Sequence, residues 1–330
     1  MKAFVCNEFG PVDSHKVEEV DDPVAGPGQV VVDIKATGIS FPDVLIVQGL
    51  YQFKPPFPFY PGGEIAGVVS SVGEGVSSLK EGDRVMGSVG SQGLSEKGAY
   101  FENQLMHLPE TMDFKTAAGF PLNYGTTYHA LKQRGELQPN QTLLVLGAGG
   151  GLGITAVHVG KAMGAKVIAA ASSQEKLDLC LKEGADEGIL YDRDMDRDLQ
   201  KKFSDQIKKV TGGGVDMIYD LVGGDYAEPS LRAMARHGKY LVIGFTAGIP
   251  KMPLNLTLLK ECQIIGVFWG QFQGLEPDVN ARNFKELFDL HAKGEIKPFV
   301  TESYSLDESA KAIKTLEDRK VLGKVVVSQE

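Results

Sequence analysis

The stretch that most constrains this chain is Thr142-Leu143-Leu144-Val145-Leu146-Gly147-Ala148-Gly149-Gly150-Gly151-Leu152-Gly153. Its uncharged run up to Gly147 is what a strand buried on both faces requires. Beyond Gly153, positions 154, 157 and 161–162 recur at helical spacing, and Gly164 offers a stop. A second apolar run, Lys166–Ala171, ends at Ser172 and Ser173. Strand, glycine turn, helix and strand within about 30 residues make a βαβ unit of the dinucleotide-binding kind. Glycines let the backbone turn sharply and approach a pyrophosphate with no Cβ in the way. The helix that follows offers unpaired N–H groups and the positive end of its dipole.

The tip of the second strand bears on which dinucleotide fits. A carboxylate there would bind the ribose hydroxyls of NAD, but Ala171-Ser172-Ser173-Gln174 carries none. Lys176 follows, suited to a 2′-phosphate, and the expected cofactor is NADPH; the plainer alternative makes Lys176 a solvated helix residue. The surrounding chain alternates strand and helix: Gly188–Tyr191, Asp194–Thr211, Val215–Asp220, Tyr226–Ala235 and Lys239–Gly244. That pattern predicts an α/β domain, a doubly wound parallel sheet with helices on both faces. A last apolar strand is expected over Cys262–Trp269, helices over 280–293 and 306–317, and a closing strand at Lys324–Val327.

Residues 1–110 read differently. Lys2–Cys6, Gln29–Ala36 and Glu64–Gly73 look like strands without intervening helices, which suggests a rolled-up antiparallel domain. The prolines of 51–61 lack N–H donors, so this aromatic segment is expected as a loop. A length of 330 residues suits two domains. With 34 Lys+Arg against 43 Asp+Glu, a net charge of −9 argues against binding nucleic acid. The 3 cysteines, Cys6, Cys180 and Cys262, show no metal or redox spacing. The chain opens directly on a strand pattern, and no apolar run approaches the roughly 18 residues of a membrane span. No membrane partner is expected. The expected home is the cytoplasm, or the mitochondrion if a transit peptide lies outside this sequence.

Several motifs in order carry a resemblance: Gly38-Ile39-Ser40-Phe41-Pro42-Asp43, Gln48-Gly49-Leu50-Tyr51, Pro61-Gly62-Gly63-Glu64-Ile65-Ala66-Gly67, Gly82-Asp83-Arg84-Val85, Tyr124-Gly125-Thr126-Thr127-Tyr128-His129-Ala130-Leu131, the Ala148-x-Gly150-x-x-Gly153 fingerprint, and Gly323-Lys324-Val325-Val326. End to end, the chain resembles the zinc-free quinone oxidoreductase branch of the medium-chain dehydrogenase/reductase superfamily. The resemblance implies a GroES-like β-rich domain over 1–122, completed by 270–330, and a Rossmann NADPH-binding domain over 123–269, with the nicotinamide in the cleft between them. Where the alcohol-dehydrogenase branch holds a catalytic zinc with cysteine and histidine, the matching positions carry Ser40 and Gly63, and no metal site is expected.

Without a Lewis acid, the implied chemistry is hydride transfer to a quinone or to an α,β-unsaturated carbonyl, and the acceptor oxygen needs a donor. Tyr51 is the first candidate, as proton donor or as aromatic wall. Ser40 and Asp43 are the other catalytic candidates, Asp43 equally as a helix cap. For the cofactor, the resemblance points to Thr127 at the nicotinamide ribose and to Tyr191 and Lys176 beside the adenosine phosphate. It places Phe245 in a nicotinamide loop. Ala148, Gly150, Gly151, Leu152, Gly153, Ser172, Ser173, Phe268 and Lys324 complete the expected contacts, although an aromatic on an apolar strand, as Phe268 is, more often belongs to the core. His129 and His158 read as packing residues. In the family the apolar edge strand 262–269 pairs with its symmetry mate, so a homodimer is expected. An enoyl-thioester or enone reductase, and an NADPH-binding protein without turnover, stand as the other readings.

Overall fold

The computed structural model describes residues 1–318 and 321–329. Arg319, Lys320 and Glu330, part of the C-terminal segment assigned to the first domain, lie outside the described residues. In chain order the elements begin with β1 (Lys2–Val5), β2 (Lys16–Glu19), β3 (Gln29–Ile39), α1 (Phe41–Val47), β4 (Glu64–Val72), β5 (Arg84–Ser88), β6 (Lys97–Phe101), β7 (Leu105–His107), α2 (Phe114–Ala118) and α3 (Pro121–Tyr128). They continue with β8 (Thr142–Leu146), α4 (Gly151–Ala162), β9 (Lys166–Ala171), α5 (Gln174–Lys182), β10 (Glu187–Leu190), α6 (Arg197–Thr211), β11 (Val215–Asp220), α7 (Ala227–Arg232) and β12 (Met234–Val242). The last are α8 (Asn255–Lys260), β13 (Gln263–Gly266), α9 (Trp269–Leu275), α10 (Pro277–Ala292), β14 (Val300–Tyr304), α11 (Ser309–Glu317) and β15 (Lys324–Ser328).

Two compact units result, Met1–Leu122 with Pro298–Glu330, and Asn123–Lys297. The first holds a seven-stranded sheet in the order β14-β15-β3-β4-β5-β7, with β6 also on β3, and a two-stranded β1-β2 pair. All these pairings are antiparallel except β14 with β15. One core cluster packs Phe4, Ile39, Val47, Phe59, Ile313 and Val325, joining the N-terminal strands to the returning C-terminal segment. The proline-rich segment is a loop, as its missing donors dictate.

The second unit is a parallel six-stranded sheet in the order β10-β9-β8-β11-β12-β13. Counted from β8 this is the doubly wound order, and the sheet's switch point lies between β8 and β11. Its core gathers Leu144, Ile168, Phe203, Ile218, Leu231 and Tyr240.

Three expectations change. Residues 270–297, expected with the first domain, belong to the second unit. There α9 and α10 pack together through Trp269 and Phe284, and Asn283 hydrogen-bonds Gln133. The strand expected over 262–269 is only Gln263–Gly266, because Trp269 opens α9 and donates its indole N–H to Asn280 at 2.9 Å. The helix expected over 226–235 stops at Arg232, and β12 starts at Met234 in parallel register with β11. Along 124–133 the helix is α3 followed by a π-helical turn over His129–Arg134.

Gly125 shows how closely α3 meets α9. A methyl group added there would lie 2.5 Å and 2.6 Å from two ring carbons of Trp269. Gly125→Ala should therefore destabilise the chain by about 1–3 kcal/mol through overpacking. Denaturant unfolding followed by the fluorescence of Trp269, the single tryptophan, measures this; an unchanged midpoint would show that the helices slide apart at no cost.

Candidate functional site

In the second unit, the candidate site is built at the carboxyl ends of the central strands. β8 ends in Gly147, whose φ of +75° suits glycine. The N–H groups of Gly147 and Ala148 both donate to Ala170 O, fastening the turn to β9. Gly150 is the N-cap of α4 and, lacking a side chain, leaves the helix end without a side-chain cap or an acidic residue in its first turn. A methyl group at Gly150 would meet only Gly147 O, at 3.8 Å, so the space before the helix is open. One at Gly153 would lie 2.5 Å from the Ala148 carbonyl carbon, so that helix and turn touch backbone to backbone. Gly151 and Leu152, half-buried, complete the first turn. This cradle fits a dinucleotide pyrophosphate: open backbone, uncapped donors and a helix dipole converge on one point.

β9 ends beside it. Ser173 caps α5 and accepts the Lys176 N–H at 3.4 Å, while Ser172 is half-buried. The Lys176 stem lies over Gly149: a methyl group there would be 2.6 Å from its Cβ and 2.8 Å from its Cγ. The structure thus brings Lys176 to the glycine turn. Tyr191 follows β10, donates its N–H to Ala171 O at 3.0 Å, and packs its ring on Tyr226 and Phe203. Burial raises its phenol well above the ordinary value. Arg193, exposed two residues on, is a second cation at this end of the sheet.

Asp220, the last residue of β11, is a site residue that the sequence reading missed. Its buried carboxylate accepts the N–H groups of Val222 (2.7 Å) and Gly223 (3.0 Å) and the Tyr240 hydroxyl (2.5 Å). Burial raises its carboxyl, against those three donors. Its backbone carbonyl accepts Ile243 N–H, and Ala247 N–H reaches Val222 O, so the loops after β11 and β12 are tied into one. Phe245 stands 45% exposed on that tied pair, and Phe268 61% exposed beyond β13, so Phe268 is not a core residue. A carboxylate ending an apolar strand was the available signal.

Thr127 is fully buried, and its hydroxyl lies 3.0 Å from that of Tyr219, joining α3 to β11. His158 links Tyr124 (3.2 Å) to Glu183 (2.9 Å), and His129 stacks on Phe272 at 3.9 Å. Burial lowers both imidazoles below their usual range. Both serve packing.

The first unit carries a second polar cluster. Glu64, 2% exposed, opens β4, and Lys324, 5% exposed, opens β15. The Lys324 ammonium donates to a Glu64 oxygen and, at 2.6 Å, to Ser40 Oγ, which itself donates to Glu64 at 3.0 Å. The other Glu64 oxygen accepts Leu122 N–H at 2.8 Å. Lys324, expected at the cofactor, is held in this ion pair. Asp43 accepts the N–H groups of Ser40 (2.8 Å) and Gly62 (2.9 Å), organising the start of α1 and the turn before β4. Ser40 and Asp43 thus each hold neighbouring groups in place, and Tyr51 is the third catalytic candidate. Its ring packs against the first unit's core. Burial, then the Asp43 charge, raises its phenol above the ordinary value.

Zinc does not fit this cluster. Ser40 Oγ already meets an ammonium, and Gly63 offers no ligand. Among the described residues no group of three or more His, Cys, Asp or Glu could hold a metal ion, and no helix is long and apolar enough to cross a membrane.

A six-stranded doubly wound sheet with an open glycine cradle, in one chain with a β-rich unit that the C-terminal segment completes, defines the medium-chain dehydrogenase/reductase class. Accordingly, residues 26–128 match the alcohol dehydrogenase GroES-like domain, and residues 151–290 a family described as zinc-binding dehydrogenase. The chain is 36% identical to quinone oxidoreductase-like protein 2 of Bos taurus over 94% of its length and 88% of the relative's. A probable oxidoreductase from Mycobacterium abscessus superposes with a TM-score of 0.89 at 35% identity, covering 99% of this chain and 98% of that one. Escherichia coli quinone oxidoreductase, solved with NADPH, gives a TM-score of 0.90 at 29% identity over 99% and 100%. The chain belongs to the quinone oxidoreductase family of that superfamily.

The Asp43 cluster makes its own pH dependence. Burial pushes the Asp43 carboxyl from an ordinary 3.8 up to about 6, with Glu64 adding to the rise and the two backbone donors and Lys324 opposing it. Between those values the folded chain holds a proton that the unfolded chain releases. The contribution is therefore full at low pH and is lost as pH rises through about 6. In Asp43→Asn that gain on acidification is absent. The stability gap between parent and variant should widen by about 1–3 kcal/mol from about pH 7.5 to about pH 5. Urea unfolding across that range tests it; a constant gap would mean that Asp43 titrates as it does in the unfolded chain.

Proposed function

We propose that this chain is an NADPH-dependent, zinc-independent reductase of quinones or α,β-unsaturated carbonyls. The observation that carries the reading is the meeting of the uncapped α4 terminus with Lys176 at one glycine turn. The first suits a pyrophosphate and the second a 2′-phosphate, as expected for NADPH. Ser172, Ser173, Tyr191 and Arg193 would border the adenosine end, and Phe245 and Phe268 supply apolar surface. The NADPH bound to the Escherichia coli relative supports the same cofactor.

NADPH supplies a hydride when bound. Hydride addition to a conjugated acceptor builds negative charge on the carbonyl oxygen, which a hydrogen-bond donor stabilises. Tyr51 is the donor in this reading, a half-buried phenol packed against the first unit's core. Lys324 already answers Glu64. This reading assigns the reaction no metal ion, because Ser40 and Gly63 stand where thiolate and imidazole ligands would be needed.

The partner is a second copy of the chain. β13 pairs with β12 alone among the described strands, and the preceding α8 leaves Leu258 77% exposed. An unpaired edge beside exposed leucines suits strand addition across a two-fold axis.

Consumption of NADPH with simple quinones and with enones, with NADH alongside, tests the activity. Turnover favouring NADPH is expected, and Tyr51→Phe should lower kcat for enones about 100-fold or more while the NADPH dissociation constant stays unchanged. Tight NADPH binding with no acceptor reduced would overturn the enzyme reading for a binding protein. Light scattering should give twice the 35.6 kDa chain mass, and Ile265→Lys should halve it; a parent monomer would remove the dimer.

A further inference from the structure

We propose that Gly149, the first x of the Ala148-x-Gly150-x-x-Gly153 fingerprint, is a positioning residue for cofactor selectivity that acts through Lys176. The inference rests on the NADPH reading above. Gly149 is buried, and its φ lies outside the left-handed region, so alanine could adopt its backbone. What forbids a side chain is its neighbour. An added methyl group would lie 2.6, 2.8 and 3.1 Å from Cβ, Cγ and Cδ of Lys176.

Cβ is no flexible tip. It is fixed to α5, whose start is set by the Ser173 cap and by Leu177 N–H donating to Ser173 O. The clash can be relieved only by moving the start of α5 away from the turn, or the turn away from α5. Either displacement separates Lys176 from the α4 terminus. The two elements that would read the phosphates of one dinucleotide are thus held together by the missing side chain at 149. Gly150, by contrast, faces open space, and Gly153 packs against the turn itself. Of these three glycines, Gly149 alone sets the place of a cation.

The test measures NADPH and NADH dissociation constants by fluorescence titration, with thermal unfolding of the unliganded proteins, for the parent, Gly149→Ala, Lys176→Gly and the double variant. Gly149→Ala should weaken NADPH by about 10-fold or more, the worth of a charge-assisted phosphate contact, and NADH by less than about threefold. Lys176→Gly removes the obstructing Cβ, so Gly149→Ala should lower the melting temperature of the parent but not that of Lys176→Gly. Equal weakening of both cofactors by Gly149→Ala, or an equal melting loss in both backgrounds, would overturn the inference. A parent that prefers NADPH, combined with a Gly149→Ala variant that keeps the preference, removes the inference alone. A parent that binds both cofactors alike removes the NADPH reading and the inference with it.

Discussion

Backbone-to-backbone contact at the end of β8 is the constraint on which the nucleotide unit depends. Where α4 leaves the strand, Gly153 stands so near the Ala148 carbonyl carbon that a methyl group would fall within 2.5 Å of it. That closeness sets the helix terminus directly above β8, a central strand flanked by β9 and β11. Because β8 is where the strand order reverses, the elements leaving its neighbours diverge and a crevice opens at their carboxyl ends. The turns on both sides are fastened to this frame: that after β9 by the Ser173 cap, and that after β11 by the Asp220 carboxylate. A side chain at 153 would lift the helix and loosen the crevice at its centre.

The first unit is held by a different device, a buried ion pair that crosses a strand. In its sheet, β15 and β4 lie on either side of β3, so Lys324 and Glu64 must meet over β3 itself. Gly38, opposite Glu64 in the register, has no side chain; a methyl group there would lie 2.1 Å from Ala118 O and 3.2 Å from a Glu64 oxygen. Removing two charges from water costs several kcal/mol, and the pair recovers it only where every polar atom is answered. Here Ser40 Oγ and Leu122 N–H supply the remaining partners. The pair also joins chain ends far apart in sequence, and its geometry gives the returning segment one register.

Strand and helix patterning was legible where burial is uniform, as in Thr142–Leu146 or Val215–Asp220, whose apolar runs leave a buried strand as the reading. It failed where tertiary contacts decide. Trp269 extends an apolar run and reads as strand, but Asn280 and the glycine surface of α3 draw it into a helix. The glycine turn and the place of Lys176 were legible, since local spacing determines them. The Glu64–Lys324 pair was not: its members are 260 residues apart. Its only local trace is a single charge heading each of two apolar strands, acidic in one and basic in the other. The contact of the Thr127 hydroxyl with that of Tyr219, 92 residues away, was equally illegible.

The two units answer one electrostatic question in opposite ways. The first encloses its cation, with Lys324 paired to Glu64. The second leaves positive potential at its surface, in the uncapped end of α4, with Lys176 against the turn. The rest of the chain works against an anionic dinucleotide, for a net charge of −9 repels it at long range. At physiological ionic strength that repulsion fades beyond about 8 Å, whereas helix-end donors and a lysine act at contact. Recognition must therefore be local and geometric, and a displacement of one helix start counts for more than the sum of surface charge.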